Sequence, residues 1–337
     1  MCDACKSSLV QRRGTRRGAL RYHCQHCNHW FQVNRKKHSK KQEILRLHLD
    51  GLPFRSLATH FDISVGSAYN YSLDALMALP HCADVTRAYC QKFCGILLVD
   101  GKYLSVKGYE RKIPVVYGID YTTHDIPQYV FSQAENYQTC DTFFRSLKLM
   151  DYPLQAVVCD DNRNIYESCR HTYPSAVVQL CHVHYLRNVR SVLDLEHRPQ
   201  YRSFFLSLCD LFTFKRDLHD FNRRATQLFM QTHQDTVCSD ILIDLERRKS
   251  ILFGYRNHRG TPTTTNLIES FNSHLQGRLD TIKGFELFHH ADAWLNAYFI
   301  RRRTKKFTDC SGKFKRLNGK TSLSQSLKPG IDQPIFF

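Results

Sequence analysis

The sequence predicts an α/β protein: a mixed sheet covered by helices and broken by a helical insertion, with two small modules in front of it. Three observations carry that reading. Cys2, Cys5, Cys24 and Cys27 form C-x2-C, eighteen intervening residues, then C-x2-C. Residues 39–78 show helical apolar spacing with short breaks. From residue 95 onward, apolar runs of strand length alternate with helical patterns, as in a sheet layered by helices.

Charge narrows the function. The net charge is +17 over 337 residues, which predicts a polyanionic partner. Between Ala4 and Gln42 there are eleven Lys or Arg and no acid, so Arg12, Arg13, Arg16, Arg17 and Arg21 read as a phosphate-binding surface. A second basic run, RRRTKK at 301–306, reads equally well as a solvated face. No stretch approaches the roughly 18 apolar residues of a membrane span. Met1 runs into CDACK rather than into a basic and then apolar leader, so an unprocessed cytoplasmic protein with no membrane partner is expected.

Residues 1–36 read as a zinc ribbon. Each C-x2-C pair turns two sulfurs toward one tetrahedral ion, and the SLVQRRG, ALRYHC and WFQV runs supply three short strands. Without a metal, a segment this short and this poor in apolar residues has nothing to hold it folded. His23, His26 and His29 are alternative ligands, but the cysteine set is complete without them.

Residues 37–79 read as a helix-turn-helix: EILRLHL closes at Gly51, LPFRSLATHF follows, and Ser64 is a good N-cap for SVGSAYNYSLDAL. That places Ser67, Tyr69 and Asn70 on or near a groove-facing side. A Cys-containing connector (80–94) leads to the strand runs GILLVDG, YLSVKG, IPVVYGID and PQYVFSQA. Then come helix 136–150, strand LQAVVCD, helix NRNIYESCRHTY and strand AVVQLC. HVHYLRNVRSVL begins a helical region reaching about residue 253, and residues 308–337 form a basic tail.

The chemistry rests on acids. Asp100 ends the run ILLVD and Asp160 ends AVVCD, so both read as strand-end carboxylates at the rim of a buried sheet, where a cation can enter. Asp161, next to Asn162 and the start of a helix, reads as a helix cap or supporting carboxylate. Glu269 lies one turn into the helix that TTTNLIESFNSHLQGRL predicts. On spacing alone, Asn266-x-x-Glu269 is also a capping box.

Three passages together resemble the acid-bearing blocks of the Mutator-like superfamily of DDE transposases, which includes bacterial insertion-sequence enzymes. They are LLVDGKYLSVKG, VVCDDNRNIYESCRHTYPSAVVQLCHVHYLRNV and TPTTTNLIESFNSHLQGRLDTIKGF, and the resemblance covers roughly residues 95–303. Its second block runs from Asp160 through Tyr173-Pro174 to Cys181 and His184; its third contains Thr265, Asn266, Glu269 and Asn272.

The resemblance implies an RNase H-like catalytic domain (95–307) with a helical insertion at about 190–258. It also implies Asp100, Asp160 and Glu269 as ligands of two Mg²⁺ or Mn²⁺ ions, beside one structural Zn²⁺ in the ribbon. The implied activity is cleavage and strand transfer of double-stranded DNA at a mobile element's terminal repeats, by a homo-oligomer on paired ends. Cys181 and His184 read as structural neighbours of that site rather than half of a second zinc site. Rival readings are a domesticated DNA-binding regulator without catalysis, and an RNase H-like nuclease that hydrolyses without joining.

Overall fold

The computed structural model describes residues 1–2, 4–16, 19–33, 37–213, 217–282 and 284–337; for residues 15, 16, 19, 32, 33 and 37–39 it describes the backbone alone. The chain divides into two units, residues 1–79 with 336–337, and residues 80–335.

The first unit opens with an antiparallel meander of β1 (Val10–Arg16), β2 (Ala19–Cys24) and β3 (Trp30–Val33). The β1–β2 register shifts between Arg12 and Thr15, where Gly14 takes a left-handed φ of 74°, as a bulge requires. Among the described residues its buried core is Cys2, Cys24 and Phe31, with Cys5, Val10 and Tyr22 packed against them.

Three helices follow: α1 (Lys37–Asp50), α2 (Phe54–Phe61) and α3 (Val65–Met77). They close around Ile44, Leu57, Ala58 and Ala68, small residues at the crossing letting α3 approach. The turn between α2 and α3 needs a left-handed residue, and Asp62 supplies it at φ 50°, a conformation that Asp tolerates better than most. Ser64 caps α3 as its sequence suggests, its Oγ accepting from the Ser67 backbone N–H at 3.0 Å.

The second unit begins with α4 (Cys82–Tyr89), so the stretch expected to be a connector carries a helix. The strands are β4 (Ile96–Leu104), β5 (Ile113–Asp120) and β6 (Tyr129–Phe131). Helix α5 (Tyr137–Leu149), β7 (Ala156–Cys159), α6 (Arg163–Thr172), β8 (Val177–Leu180) and α7 (His182–Leu193) follow. The five strands form one mixed sheet in the order β6-β5-β4-β7-β8. The β4–β5 and β5–β6 pairs are antiparallel, while β7 and β8 run parallel to β4. Every residue of β5 is buried, which fits its apolar run from Ile113 to Ile119; Asp120 at its end is buried too and accepts from the Tyr152 hydroxyl at 2.9 Å.

One expectation about β4 changes. GILLVDG and YLSVKG are expected as separate strands with Asp100 at an end, yet β4 runs through Asp100 and takes in Tyr103 and Leu104 of the second run. The antiparallel ladder with β5 continues to Leu104↔Ile113, beyond the point where the apolar run stops.

Helices α8 (Arg202–Leu211), α9 (Leu218–Thr232) and α10 (Thr236–Leu252) fill the stretch where a helical insertion is expected. They share the sheet's core: Leu208, Phe221 and Leu245 belong to the same cluster as Leu97, Val157 and Phe143. The chain then forms α11 (Asn266–Leu279), α12 (Phe288–Thr304) and α13 (Ser322–Ser326).

The basic run at 301–306 is only partly a surface feature. Arg303 is fully buried, donating to both Asp125 carboxylate oxygens at 2.9 Å and to Thr86 Oγ1 at 2.9 Å. Arg302 stacks over Phe271 at 4.5 Å. Ser322 and Ser326 also donate to Asp125, at 3.1 and 2.5 Å, so the tail is anchored in the second unit with Leu323 and Leu327 buried.

Candidate active site

The parallel β4–β7 register pairs Ile96 with Ala156, Leu97 with Val157 and Leu98 with Val158. Carried two residues further, it sets Asp100 alongside Asp160, the first residue beyond β7. The acids are thus brought together by strand pairing between segments distant in sequence.

Asp100 is held on both oxygens. Its Oδ1 accepts from the Gly101 backbone N–H at 2.8 Å and its Oδ2 from Asn272 Nδ2 at 2.7 Å. The Asn272 carbonyl oxygen accepts from the Tyr117 hydroxyl at 2.9 Å, which fixes the amide's orientation. Asp160 differs, because its Oδ1 is buried with no hydrogen-bond partner among the described residues. Burial, then the charge of Asp160, raises the Asp100 carboxyl to about 7. Burial, then the charge of Glu135, raises that of Asp160. Two half-buried acids that repel each other, one with an orphaned oxygen, are the donor set a hard cation relieves.

Asp161 is not the helix cap. That position belongs to Asn162, whose side chain accepts from the Asn164 N–H at 3.0 Å. Asp161 instead pairs with Arg248 of α10, tying the insertion to the turn that carries Asp160. A neutral amide fits the local cap, and the distant guanidinium claims the charged neighbour.

Glu269 projects from the first turn of α11, but no capping box forms. Thr265 is the N-cap and Asn266 the first helical residue, while Glu269 Oε1 accepts from Thr265 Oγ1 at 2.7 Å. The same oxygen lies 3.9 Å from His184 Nε2. Cys181, at the end of β8, accepts from the Thr265 N–H at 3.4 Å. Ligating atoms of Cys181, His184 and Glu269 all lie within 4.8 Å of one another.

Burial opposes ionisation of the Cys181 thiol, but hydrogen bonds from His184 and Thr265 outweigh it and lower its pKa. The reciprocal bond from Cys181 raises His184, helped by Glu269 and Asp160. His184 stands 3.9 Å from Glu269, and when protonated it favours the ionised forms of Asp160 and Asp100. His182, to which the sequence assigns no role, is structural: its Nε2 meets the Leu252 carbonyl at 2.6 Å, joining the start of α7 to the end of α10.

Glu135 is a fourth acid at this rim that sequence reasoning missed. It follows β6 at the end of the strand-rich run YGIDYTTHDIPQYVFSQAEN, which resembles the family's, but only its charge sets it apart among QAEN.

In the first unit the four cysteines converge. Cys2 Sγ and Cys27 Sγ are 3.6 Å apart, as are Cys5 Sγ and Cys24 Sγ, and all four sulfurs lie within 4.8 Å of one another. A tetrahedral Zn²⁺ with bonds of about 2.3 Å separates its sulfurs by about 3.8 Å, so this donor set fits that ion. Arg12 and Arg13 are exposed, and Arg21 stacks on Trp30 at 4.0 Å. The side chain of Arg16 and all of Arg17 lie outside the described residues. On α3, Asn70 is exposed and Tyr69 is 44% exposed with its edge against Phe54, while Ser67 is half-buried and accepts from Ser64 Oγ.

The fold and the paired acids define a class in which a mixed sheet presents carboxylates from neighbouring strands. Residues 32–291 match the family described as "Transposase, Mutator family", and the chain belongs to that family. A comparison with curated proteins finds no match. Among solved structures, the Drosophila P element transposase strand transfer complex is similar at 11% identity and a TM-score of 0.49, covering 79% of this chain and 92% of that one. A simian T-cell lymphotropic virus intasome, in complex with PP2A regulatory subunit B56 gamma, is similar at 10% identity and a TM-score of 0.30, covering 86% and 76%. Among the described residues, no helix is long and apolar enough to cross a membrane.

Proposed function

We propose that the chain is a DDE transposase that binds the terminal repeats of a mobile element and cuts and joins DNA strands there. The observation that carries this reading is the β4–β7 register, which carries on to Asp100 beside Asp160, one oxygen of Asp160 being buried with no partner among the described residues. The strand order, three antiparallel strands followed by two parallel ones, supports an RNase H-like domain over residues 95–307.

Asp100, Asp160 and Glu269 would hold two Mg²⁺ or Mn²⁺ ions, which when bound activate the attacking oxygen and stabilise the leaving one. The chain's own residues prepare the site. Asn272 and the Gly101 amide fix Asp100 in one rotamer, and the Arg248–Asp161 pair holds the turn bearing Asp160. Thr265 orients Glu269, and His184, whose pKa the Cys181 hydrogen bond raises, stands 3.9 Å from that carboxylate.

Residues 1–36 serve as a zinc ribbon whose exposed arginines contact phosphates. Residues 37–79 serve as a helix-turn-helix that presents Tyr69 and Asn70 to a groove. Cleavage at paired ends makes a homo-oligomer the working form.

The test is incubation of the full chain with Mg²⁺ and DNA carrying the element's ends. Joined products are expected from the wild type and none from Asp100→Ala, Asp160→Ala or Glu269→Ala, each still binding DNA. A variant that keeps activity removes that residue from the triad. Nicks without joined ends would make the protein a nuclease, and DNA binding with no products from any form would make it a regulator.

A further inference from the structure

Glu135 lies between β6 and α5, where nothing in the strand pattern requires an acid, yet its carboxylate is fixed at both oxygens. Oε2 accepts from the Tyr103 hydroxyl of β4 at 2.5 Å, and Oε1 from Asn162 Nδ2, the cap of α6, at 2.6 Å. Its backbone carbonyl also accepts from Asn164 Nδ2 at 3.4 Å. One side chain therefore bridges the strand that carries Asp100 and the turn that follows Asp160.

Gly101 shows how closely it is fitted. A Cβ there would stand 2.7 Å from Glu135 Oε2 and 2.9 Å from Oε1. Gly101 is not among the residues with positive φ, so it is not needed for the backbone; it leaves room for this carboxylate beside Asp100.

The charge is not balanced locally. Both of its side-chain donors are neutral, and among the described residues no Lys, Arg or His pairs with it. Asp100, Asp160 and Glu135 thus crowd together at the end of the β4–β7 pair, and Glu135 is the neighbouring charge that acts most on Asp160. A bridge that merely braced two segments would be served as well by an uncharged glutamine, without the added repulsion.

We propose that Glu135 is a positioning carboxylate of the cation-holding centre: it locks β4 to the turn after β7 and adds its charge to the field that draws divalent cations to Asp100 and Asp160. The proposal rests on the reading of Asp100, Asp160 and Glu269 as cation ligands. The geometry makes Tyr103, Asn162 and Gly101 its supporting set.

The experiment is Mn²⁺ titration of the full-length, zinc-loaded protein by electron paramagnetic resonance, without DNA, alongside thermal unfolding in the absence of divalent cations. Glu135→Gln should weaken Mn²⁺ binding on the order of tenfold while the cation-free melting temperature holds or rises. Glu135→Asp, charged but shorter, should fall between the two. Gly101→Ala, which displaces the carboxylate without removing it, should also weaken binding and gives the answer if Glu135→Gln fails to fold. Wild-type Mn²⁺ affinity in Glu135→Gln, or in Gly101→Ala where the former does not fold, overturns the role of Glu135 if Asp160→Ala still abolishes binding. Wild-type affinity in Asp100→Ala and Asp160→Ala as well would instead overturn the underlying cation site.

Discussion

Asn272 and Asp100, separated by 172 positions in the chain, meet through a 2.7 Å hydrogen bond from the Asn272 amide to Asp100 Oδ2. Asn272 lies three residues after Glu269 on α11, so the two share a helix face. One helix thereby steadies the carboxylate of β4 and presents its own acid beside His184.

Asn272→Ala should slow strand cleavage on the order of ten- to a hundredfold, because Asp100 loses its orienting donor. The buried Tyr117 hydroxyl would also lose its acceptor, costing about 1–3 kcal/mol of stability. Asn272→Asp, which sets a carboxylate against Asp100, should do worse. Single-turnover cleavage and thermal unfolding measure the two effects, and an unimpaired Asn272→Ala would dismiss the clamp.

Asp160 and Asp161 are adjacent but should behave differently. Asp161→Ala should leave most of the chemistry intact, and a double-mutant cycle with Arg248→Ala should give a coupling of roughly 1 kcal/mol or less, since both side chains are about a third exposed. Asp160→Ala should abolish cleavage. An active Asp160→Ala beside a dead Asp161→Ala would reverse their roles.

Arg303→Met leaves Asp125 charged, buried and without its guanidinium, and should cost about 3–5 kcal/mol in denaturant unfolding. Arg303→Lys should not rescue it, because a single ammonium cannot reproduce the two-pronged contact. A variant within about 1 kcal/mol of wild type would show that α4, α12 and α13 do not depend on this pair.

His124 makes stability fall in acid. Burial, followed by the charges of Arg302 and Arg316, lowers its pKa to about 4, and its Nε2 has no hydrogen-bond partner among the described residues. The unfolded chain takes up a proton near pH 6.5 while the folded one resists until about pH 4. The stability is therefore fully present above 6.5 and lost as pH drops through that window, by about 3 kcal/mol. His124→Asn accommodates the local φ of 56° and should flatten the loss. Denaturant midpoints at pH 7, 5.5 and 4.5 decide it, and parallel curves for the two proteins would count against His124.

Removal of zinc should expose four alkylatable thiols at Cys2, Cys5, Cys24 and Cys27 and lower affinity for DNA, because the meander's buried core among the described residues is Phe31 and two of those cysteines. DNA affinity unchanged after verified zinc loss would separate the ribbon from recognition.

Much of this architecture was readable in local patterns. Cysteine spacing, the Ser64 cap and the apolar runs of β5, β7 and β8 each depend on residues within a few positions of one another, and each appears where expected. The same reasoning ranks Asp160 above Asp161 as the metal ligand, because an apolar run of strand type ends on the first of the two. It failed where the partner is remote. Asp100 lies inside β4 because β5 keeps pairing beyond it, and Asp161 leaves the cap to Asn162 because Arg248 arrives from α10. Arg303 looked like part of a surface run until Asp125 enclosed it, and Glu135 had no mark of its own until Tyr103 and Asn162 closed on it. Helix and strand periods, caps and thiol pairs are properties of neighbouring residues; strand register and the pairing of distant charges exist only once the chain has folded.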